Sequence, residues 1–374
     1  MTAETAVNAE TGLTSAVNPV SELLDSSSVV VCCGSGGVGK TTIAAVLAME
    51  AARRGRKAAV VTIDPAKRLA NAMGLAGLSN EPSIVPGDWP GELWALMLDT
   101  KRTFDSLVSK HAADEAQAER ILANRFYQNI SGALSGTQEY MAAEKLYELH
   151  HESDFDLVVV DTPPTRNALD FIDAPRRLTR FLDHRLYRIL MAPTRGVLRA
   201  ASVAAQAFVR TVSKVVGGEV FEDAILFFQA FDGMEKGFKQ RADAVLELLS
   251  DADTAFVLVA SPRRDTVAEA DFFADKLGGA GIEVRALVVN RMHPRFGSGL
   301  AEAAVERART LDGTALGAHY ANLADFRLVA DREEAHLAEL AAKVAPAPVV
   351  RVPMLAGDVH DLDGLTQVST YLLG

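Results

Sequence analysis

Short runs of consecutive apolar residues alternate along the chain with longer stretches in which apolar residues recur every three or four positions. The short runs are rich in Val, Leu and Ala, and they predict strands at 29–33, 58–63, 93–98, 157–160, 255–260, 284–289 and 349–352. Because these runs are apolar without alternation, we expect helices to cover both faces of the strands. The pattern therefore predicts an α/β fold with a mostly parallel, doubly wound sheet flanked by helices.

Two intervals between predicted strands are too long for simple crossovers. Structureless loops of such length are uncommon in compact domains, and the apolar spacing in both intervals is helical. We therefore predict helical insertions at about 100–155 and 170–250 within one domain over 28–374. Residues 1–27 are rich in Ser, Thr, Ala and Asn and contain acids but no Lys or Arg. They predict a disordered acidic tail, with a helical turn around 20–24.

Composition narrows the class of protein. The chain has 374 residues, 49% hydrophobic and 23% charged, which is typical of a soluble globular protein with a sizeable core. A net charge of −11 disfavours a nucleic-acid partner. The two cysteines, Cys32 and Cys33, are adjacent and cannot form a disulfide framework or a four-cysteine zinc site within one chain. No long uncharged apolar run or basic signal sequence is present, so we expect a cytoplasmic protein.

The strongest chemical signal is a glycine-rich run that follows the first predicted strand and opens a helix. It reads Gly34-Ser35-Gly36-Gly37-Val38-Gly39-Lys40-Thr41-Thr42. This run satisfies the phosphate-loop pattern in the context that the pattern requires. Glycines let successive backbone N–H groups turn inward around phosphates, and the helix N-terminus adds further donors. We expect all nine residues to bind nucleotide, with Lys40 reaching the β- and γ-phosphates and Thr41 completing the Mg²⁺ shell.

Two acids follow later strands in the same chain. Asp64, in Asp64-Pro65-Ala66, comes directly after the second predicted strand. A carboxylate there can orient or deprotonate an attacking water, but an Asp-Pro turn that merely ends a strand explains it equally well. Asp161 follows four apolar residues, which is the Walker B arrangement that supports Mg²⁺. The loop after Asp161 is then expected to sense the γ-phosphate.

In this order the motifs resemble those of the ArsA-type ATPases. That family includes the arsenical-pump ATPase and the ATPase that targets tail-anchored membrane proteins, and its bacterial members are called anion-transporting ATPases. The resemblance runs from about residue 28 to the C-terminus. It implies a P-loop ATPase that binds ATP or ADP with Mg²⁺ and forms a homodimer or a heterodimer with a paralogue. The lack of an Asn-Lys-x-Asp guanine motif agrees with ATP rather than GTP.

The resemblance also implies roles for single residues. Asp64 matches the switch-one aspartate that activates the hydrolytic water, and residues 161–165 match switch two. Asn290 matches an asparagine that contacts adenine, and Pro353 matches a loop that covers the base. Four departures limit these expectations. Ser35 stands where the family usually has a signature lysine, which predicts slow hydrolysis. Arg263 stands in place of a glutamate, residues 166–167 differ from the family's Gly-His, and no Cys-x-x-Cys occurs near 285–300, so no zinc is expected.

Residues 176–238 form the most unusual part of the sequence. Between residues 176 and 214 the sequence contains nine basic residues and only one acidic residue, and apolar residues recur there at helical spacing. A Phe-rich helical stripe follows between 221 and 231. One interpretation is a helical layer whose apolar face packs on the core. The other is a surface for an apolar client or an anionic membrane, which corresponds in place to the family's client-binding helical subdomain.

The leading hypothesis is therefore a Mg²⁺-dependent ATPase that cycles with nucleotide to handle an apolar client or act at a membrane. An alternative is an ATP-binding regulatory subunit with weak hydrolysis, paired with a paralogue that carries the signature lysine. A partitioning ATPase is disfavoured because residues 361–374 contain no basic residue. A small-molecule kinase stays open on the pattern alone.

Overall fold

The computed structural model describes residues 19–63, 68–130, 137–162, 168–183 and 218–373. Its strands, in chain order, are β1 (Val29–Cys33), β2 (Lys57–Thr62), β3 (Ser83–Ile84), β4 (Glu92–Met97), β5 (Leu157–Asp161), β6 (Thr254–Ala260), β7 (Val284–Met292) and β8 (Val349–Pro353). Its first eight helices are α1 (Pro19–Ser26), α2 (Lys40–Arg53), α3 (Arg68–Ala72), α4 (Thr100–His111), α5 (Glu115–Leu122), α6 (Arg125–Ile130), α7 (Thr137–Glu152) and α8 (Ala168–Asp183). After these come α9 (Gly218–Ala230), α10 (Glu235–Leu249), α11 (Arg264–Gly279), α12 (Ala301–Thr310), α13 (Ala315–Val344) and α14 (Leu362–Leu373).

The strands form one sheet in the order β3-β4-β2-β5-β1-β6-β7-β8. Every neighbouring pair is parallel except β3 and β4, which are antiparallel. All seven predicted strands are present, and the mostly parallel α/β fold is confirmed. The two-residue strand β3 was not predicted. Strand β1 lies between β5 and β6, so the carboxyl ends of these three strands meet at one edge of the sheet.

Helices cover both faces of the sheet because successive side chains of each strand point to opposite sides. In β1, Val29, Val31 and Cys33 belong to one buried cluster, to which α4–α11 and α13 contribute apolar side chains. Val30 and Cys32 belong to a second cluster, formed mainly with α1, α2, α3 and α14. All five side chains of β1 are buried, so both thiols lie in the core as predicted.

Helix α1 lies within the segment that the sequence assigned to a disordered tail. Val20, Leu23 and Leu24 are almost completely buried. Their i, i+3, i+4 spacing puts them on one helical face, and that face packs into the cluster around α2. The helical turn predicted around residues 20–24 is therefore part of a helix that packs against the domain, while residues 1–18 lie outside the described ranges.

The described parts of the two long insertions are helical. Helices α4–α7 occupy the first, and α8, α9 and α10 occupy the second, of which residues 184–217 lie outside the described ranges. Two phenylalanines of the Phe-rich stripe pack inward: Phe227 stacks on Tyr127 with ring centroids 5.9 Å apart, and the ring centroid of Phe231, directly after α9, lies 4.8 Å from that of Phe238. This part of residues 176–238 thus follows the core-facing interpretation. In the part of the chain that the structure describes, no helix has both the length and the apolar character needed to span a bilayer.

Candidate functional site

The glycine-rich loop connects the buried end of β1 to the first residue of α2. Gly34 has φ 145°, and a Cβ there would lie 2.0 Å from the carbonyl oxygen of Val259 on β6, so the chain leaves β1 in close contact with its neighbour. Gly39 precedes α2 with φ 97°, in the left-handed region, and has no side chain to cap the helix. The first turn of α2 therefore presents its N–H groups and the positive end of the helix dipole to the loop.

Lys40 folds back across the loop that precedes it. Its side chain is buried, with 6% exposed, and Nζ donates a hydrogen bond of 2.8 Å to the backbone oxygen of Ser35. The Ser35 side chain is also buried, with 3% exposed, and its hydroxyl has no hydrogen-bond partner among the residues that the structure describes. A buried hydroxyl without a partner is unusual because its desolvation is uncompensated. Both side chains are consistent with a cradle that an anion would complete.

Asp161 joins the loop to two neighbouring strands. It ends β5, in register with Cys32 on one side and Thr62 on the other. Its Oδ2 accepts hydrogen bonds from Thr41 Oγ1 at 2.6 Å and from Thr62 Oγ1 at 3.0 Å. The carboxylate is almost completely buried, with 2% exposed. The structure thus brings the two predicted magnesium ligands into direct contact.

The donor set suits magnesium. Thr41 and Asp161 offer a hydroxyl and a carboxylate, which are hard oxygen donors. Mg²⁺ usually takes only one or two protein groups and fills its other positions with phosphate oxygens and water. The 2.6 Å contact brings both oxygens to one point beside Lys40. The residues that the sequence assigned to the metal therefore fit it.

Asn290 and Pro353 lie at the same edge of the sheet, on β7 and β8. Asn290 pairs with Val352, and Met292 pairs with Pro353. Asn290 Nδ2 donates a hydrogen bond of 2.9 Å to the Val38 backbone oxygen. It also lies close to Gly39, where an added Cβ would be only 2.2 Å from Nδ2. Pro353 is the last residue of β8, at the start of the loop that follows, and the base-covering role that the resemblance implies stays a prediction.

The structure describes only some of the remaining predicted site residues. Asp64, Pro65 and Ala66 lie outside the described residues, as do 163–165 of the second switch. Thr162 is described, and its hydroxyl donates to the Cys32 oxygen at 2.8 Å, which fixes the chain directly after Asp161. Burial raises the pKa of the Cys33 thiol to about 12 and also raises that of Cys32, to which the charge of Asp161 adds. Both thiols therefore stay protonated at neutral pH, as expected of buried structural cysteines.

Two residues near the loop were missed by sequence reasoning. Thr62 bonds to Asp161, but a single threonine at a strand end carries no pattern. Arg291 donates from Nη1 to the Gly37 oxygen at 3.0 Å. It is also the one non-glycine residue with positive φ, 62°, in the part of the chain that the structure describes. Its position directly after Asn290 was the available signal.

Comparisons with known proteins agree with this geometry. The sequence model of the anion-transporting ATPase family matches residues 27–307. ATPase GET3 of Malassezia globosa is 24% identical over 354 residues, which cover 94% of this chain and 93% of that protein. Putative arsenical pump-driving ATPase 2 of Aquifex aeolicus is 26% identical over 271 residues, covering 70% and 79%. ATPase GET3A of Arabidopsis thaliana is 24% identical over 280 residues, covering 73% and 70%.

Proposed function

Because the chain belongs to the anion-transporting ATPase family, we propose that it binds ATP with Mg²⁺, hydrolyses it and changes state with the bound nucleotide. Members of the family are ATPases, and the relatives described above are named as ATPases. For this chain, ATP hydrolysis and the change of state with nucleotide are what we propose.

The contact between Thr41 and Asp161 carries the proposal. The 2.6 Å hydrogen bond joins the end of the phosphate loop to the carboxylate at the end of β5, across 120 residues of sequence. When nucleotide binds, Lys40 leaves the Ser35 oxygen and turns its ammonium to the β- and γ-phosphates, while the N–H groups of the loop orient them. Thr41 and Asp161 would hold Mg²⁺, and the ion would supply positive charge to neutralise the phosphate oxygens. Asp64 orients the attacking water or accepts its proton.

Phosphate release tests this assignment. We expect Lys40→Ala to weaken Mg–ATP binding and to reduce turnover by about 10²-fold or more, because it removes a cation from the transferred phosphoryl group. Asp64→Asn should bind Mg–ATP with nearly unchanged affinity while losing turnover, because a neutral amide cannot serve as base. Lys101→Ala, at a half-exposed lysine on α4, is the control. Wild-type turnover in both site variants would exclude the assignment.

We also propose that the protein is cytoplasmic and forms a dimer. The dimer binds either an apolar client or a membrane surface. The family resemblance supports the dimer. The described end of α8 supports the surface, because Arg176, Arg177 and Arg180 are exposed there together with Phe181, half of whose surface is accessible. A pull-down with and without a non-hydrolysable ATP analogue tests both, since it reports partners and their nucleotide dependence. Identical, empty captures under both conditions would contradict a nucleotide-controlled client.

The position of Ser35 favours a second candidate, a nucleotide-binding regulatory subunit with weak hydrolysis. A serine hydroxyl is uncharged, so the side chain at this position supplies no cation to a partner's nucleotide. A paralogue with the signature lysine would then supply the charge that this chain lacks. Ser35→Lys should raise the hydrolysis rate, alone or with the paralogue. An unchanged rate in both settings would exclude this candidate.

A further inference from the structure

Arg291 has a backbone conformation that an arginine does not normally adopt. Its φ of 62° lies in the left-handed region, where a residue with a Cβ is strained. The pairing of β7 with β8 also shifts register between Asn290 and Met292, so Arg291 is the extra residue of a β-bulge. Bulges next to functional sites re-aim a side chain, and a left-handed bulge residue is usually glycine. Because the backbone strain at this position disfavours any residue but glycine, the presence of an arginine points to a task for its side chain.

That side chain turns towards the phosphate loop. Arg291 Nη1 donates 3.0 Å to the Gly37 oxygen, and the adjacent Asn290 Nδ2 donates 2.9 Å to the Val38 oxygen. Asn290 Oδ1 in turn accepts a 2.9 Å hydrogen bond from the Arg291 N–H, which links the two clamping residues. Two consecutive carbonyl groups of the loop are therefore held by consecutive residues of β7.

Holding these oxygens also orients the loop's donors. In a trans peptide the carbonyl and the N–H of one unit point in opposite directions. Fixing the oxygens of Gly37 and Val38 on the β7 side thus turns the N–H groups of Val38 and Gly39 to the other side, where a phosphate can accept them. The exposed guanidinium has further N–H groups and adds a permanent positive charge at the rim of the loop.

We propose that Arg291 is a positioning residue that clamps the phosphate loop in its anion-binding conformation for the phosphates of a nucleoside di- or triphosphate. The proposal rests on the proposed nucleotide site and assigns it a residue outside the glycine-rich motif. Because Arg291 pre-orients donors that contact bound nucleotide before and during reaction, its loss should weaken binding and leave turnover at saturation nearly unchanged.

Arg291→Gly separates this role from a structural one. Glycine adopts positive φ without strain, so the variant should melt at the wild-type temperature or above it. Its Kd for Mg–ADP, measured by calorimetry, and its KM for Mg–ATP should rise together by about tenfold, the usual effect of one lost charge-assisted hydrogen bond. Arg291→Lys should recover part of this affinity because it keeps the charge. Arg285→Ala, at an exposed residue near the other end of β7, should bind as wild type does.

The outcomes separate the two proposals. Wild-type protein that gives no heat with Mg–ADP overturns the nucleotide site and the clamp together. Wild-type binding with unchanged affinity in both Arg291→Gly and Arg291→Lys overturns the clamp alone. If Arg291→Gly does not fold, Arg291→Lys decides: wild-type affinity for Mg–ADP contradicts the clamp, and weaker binding with an unchanged melting temperature supports it.

Discussion

Glycine at position 39 of the phosphate loop meets two independent requirements. Its φ of 97° is strained for other residues, and a Cβ there would lie 2.2 Å from Asn290 Nδ2. Gly37 also has positive φ, 77°, but a Cβ there would have no neighbour within 4 Å in the described ranges of the chain. The two glycines are therefore needed for different reasons, and alanine at each position separates them.

We expect Gly39→Ala to lower the affinity for Mg–ATP by about tenfold or more, because the new methyl group displaces the Asn290 amide from the Val38 oxygen. Gly37→Ala should cost about 1 kcal/mol of unfolding free energy through backbone strain and should lower the affinity less, because it leaves the Asn290 amide in place. Titration calorimetry and urea unfolding of both variants measure the two effects. Equal losses of affinity at the two positions would contradict the role given to Asn290.

At this scale the sequence predicted what local patterns encode. The glycine spacing identified Lys40 and Thr41, and the apolar run before Asp161 identified the carboxylate that Thr41 contacts. Thr62 and Arg291 could not be found in this way. Their roles depend on strand neighbours and on a left-handed bulge, which arise only when distant segments pack.

A buried ion-pair network joins the helices of the two insertions. Arg241 on α10 donates from Nε to both carboxylate oxygens of Glu144 on α7, at 2.7 and 2.9 Å, and its Nη2 lies 3.0 Å from Glu152. Its guanidinium also lies 3.8 Å from the ring centre of Tyr147. Only 10% of the Arg241 side chain and 4% of the Glu144 side chain are exposed. Helix α10 is thus fixed to the helix that leads into β5.

Removing one partner of this network should be costly. Arg241→Ala leaves the Glu144 carboxylate buried without its cation, and we expect a loss of about 3–5 kcal/mol of unfolding free energy. Arg351→Ala is the matched control, because it removes an arginine from a pair with Glu334 in which both side chains are nearly half exposed. That change should cost less than about 1 kcal/mol. Urea unfolding measures the free energy of unfolding of both variants. Similar losses in the two would show that burial does not account for the contribution of the Arg241 network to stability.

The elements that the sequence predicted poorly share a physical cause. Helix α1 has a clear apolar face, but its short length and the polar composition around it resemble those of a disordered tail. Strand β3 has two residues, fewer than any alternation pattern can identify. The Phe stripe of α9 was visible, but its partners Tyr127 and Phe238 come from separate segments. Helical spacing alone could not decide between core and client.

The stability of the whole molecule should fall as the pH drops from 7.5 to 5.5. Burial lowers the pKa of His111, with the charges of Arg241 and Lys110 adding to it, and burial and His151 lower the pKa of His150. Below the ordinary histidine pKa the unfolded chain therefore binds more protons than the folded one, so protonation favours unfolding. This stability is present above pH 6.5 and is lost as the pH falls through the folded pKa values.

Urea unfolding at the two pH values measures this effect. His111→Asn should reduce the difference in unfolding free energy, because asparagine does not titrate. His360→Asn, at an exposed histidine, is the control and should retain the wild-type difference. A His111 variant as pH-sensitive as the wild type would rule out this explanation.

The order of the strands could not be predicted from the sequence, although seven of the eight strands and the mostly parallel direction could. Strand β5 lies between β1 and β2, which are consecutive among the early strands. This insertion brings Asp161 beside Thr41 and Thr62. It is set by packing between segments about 100 residues apart, for which a single sequence carries no direct signal.

The two outermost strands protect the sheet against polymerisation. An open parallel sheet exposes unpaired backbone groups at its margins, and these can recruit another copy of the chain. One margin is β3, which is too short and runs the wrong way to extend the parallel array. The other is β8, where Arg351 places a charge against Glu334 and Pro353 has no N–H to offer. Concentrated protein should therefore resist aggregation at both margins of its sheet.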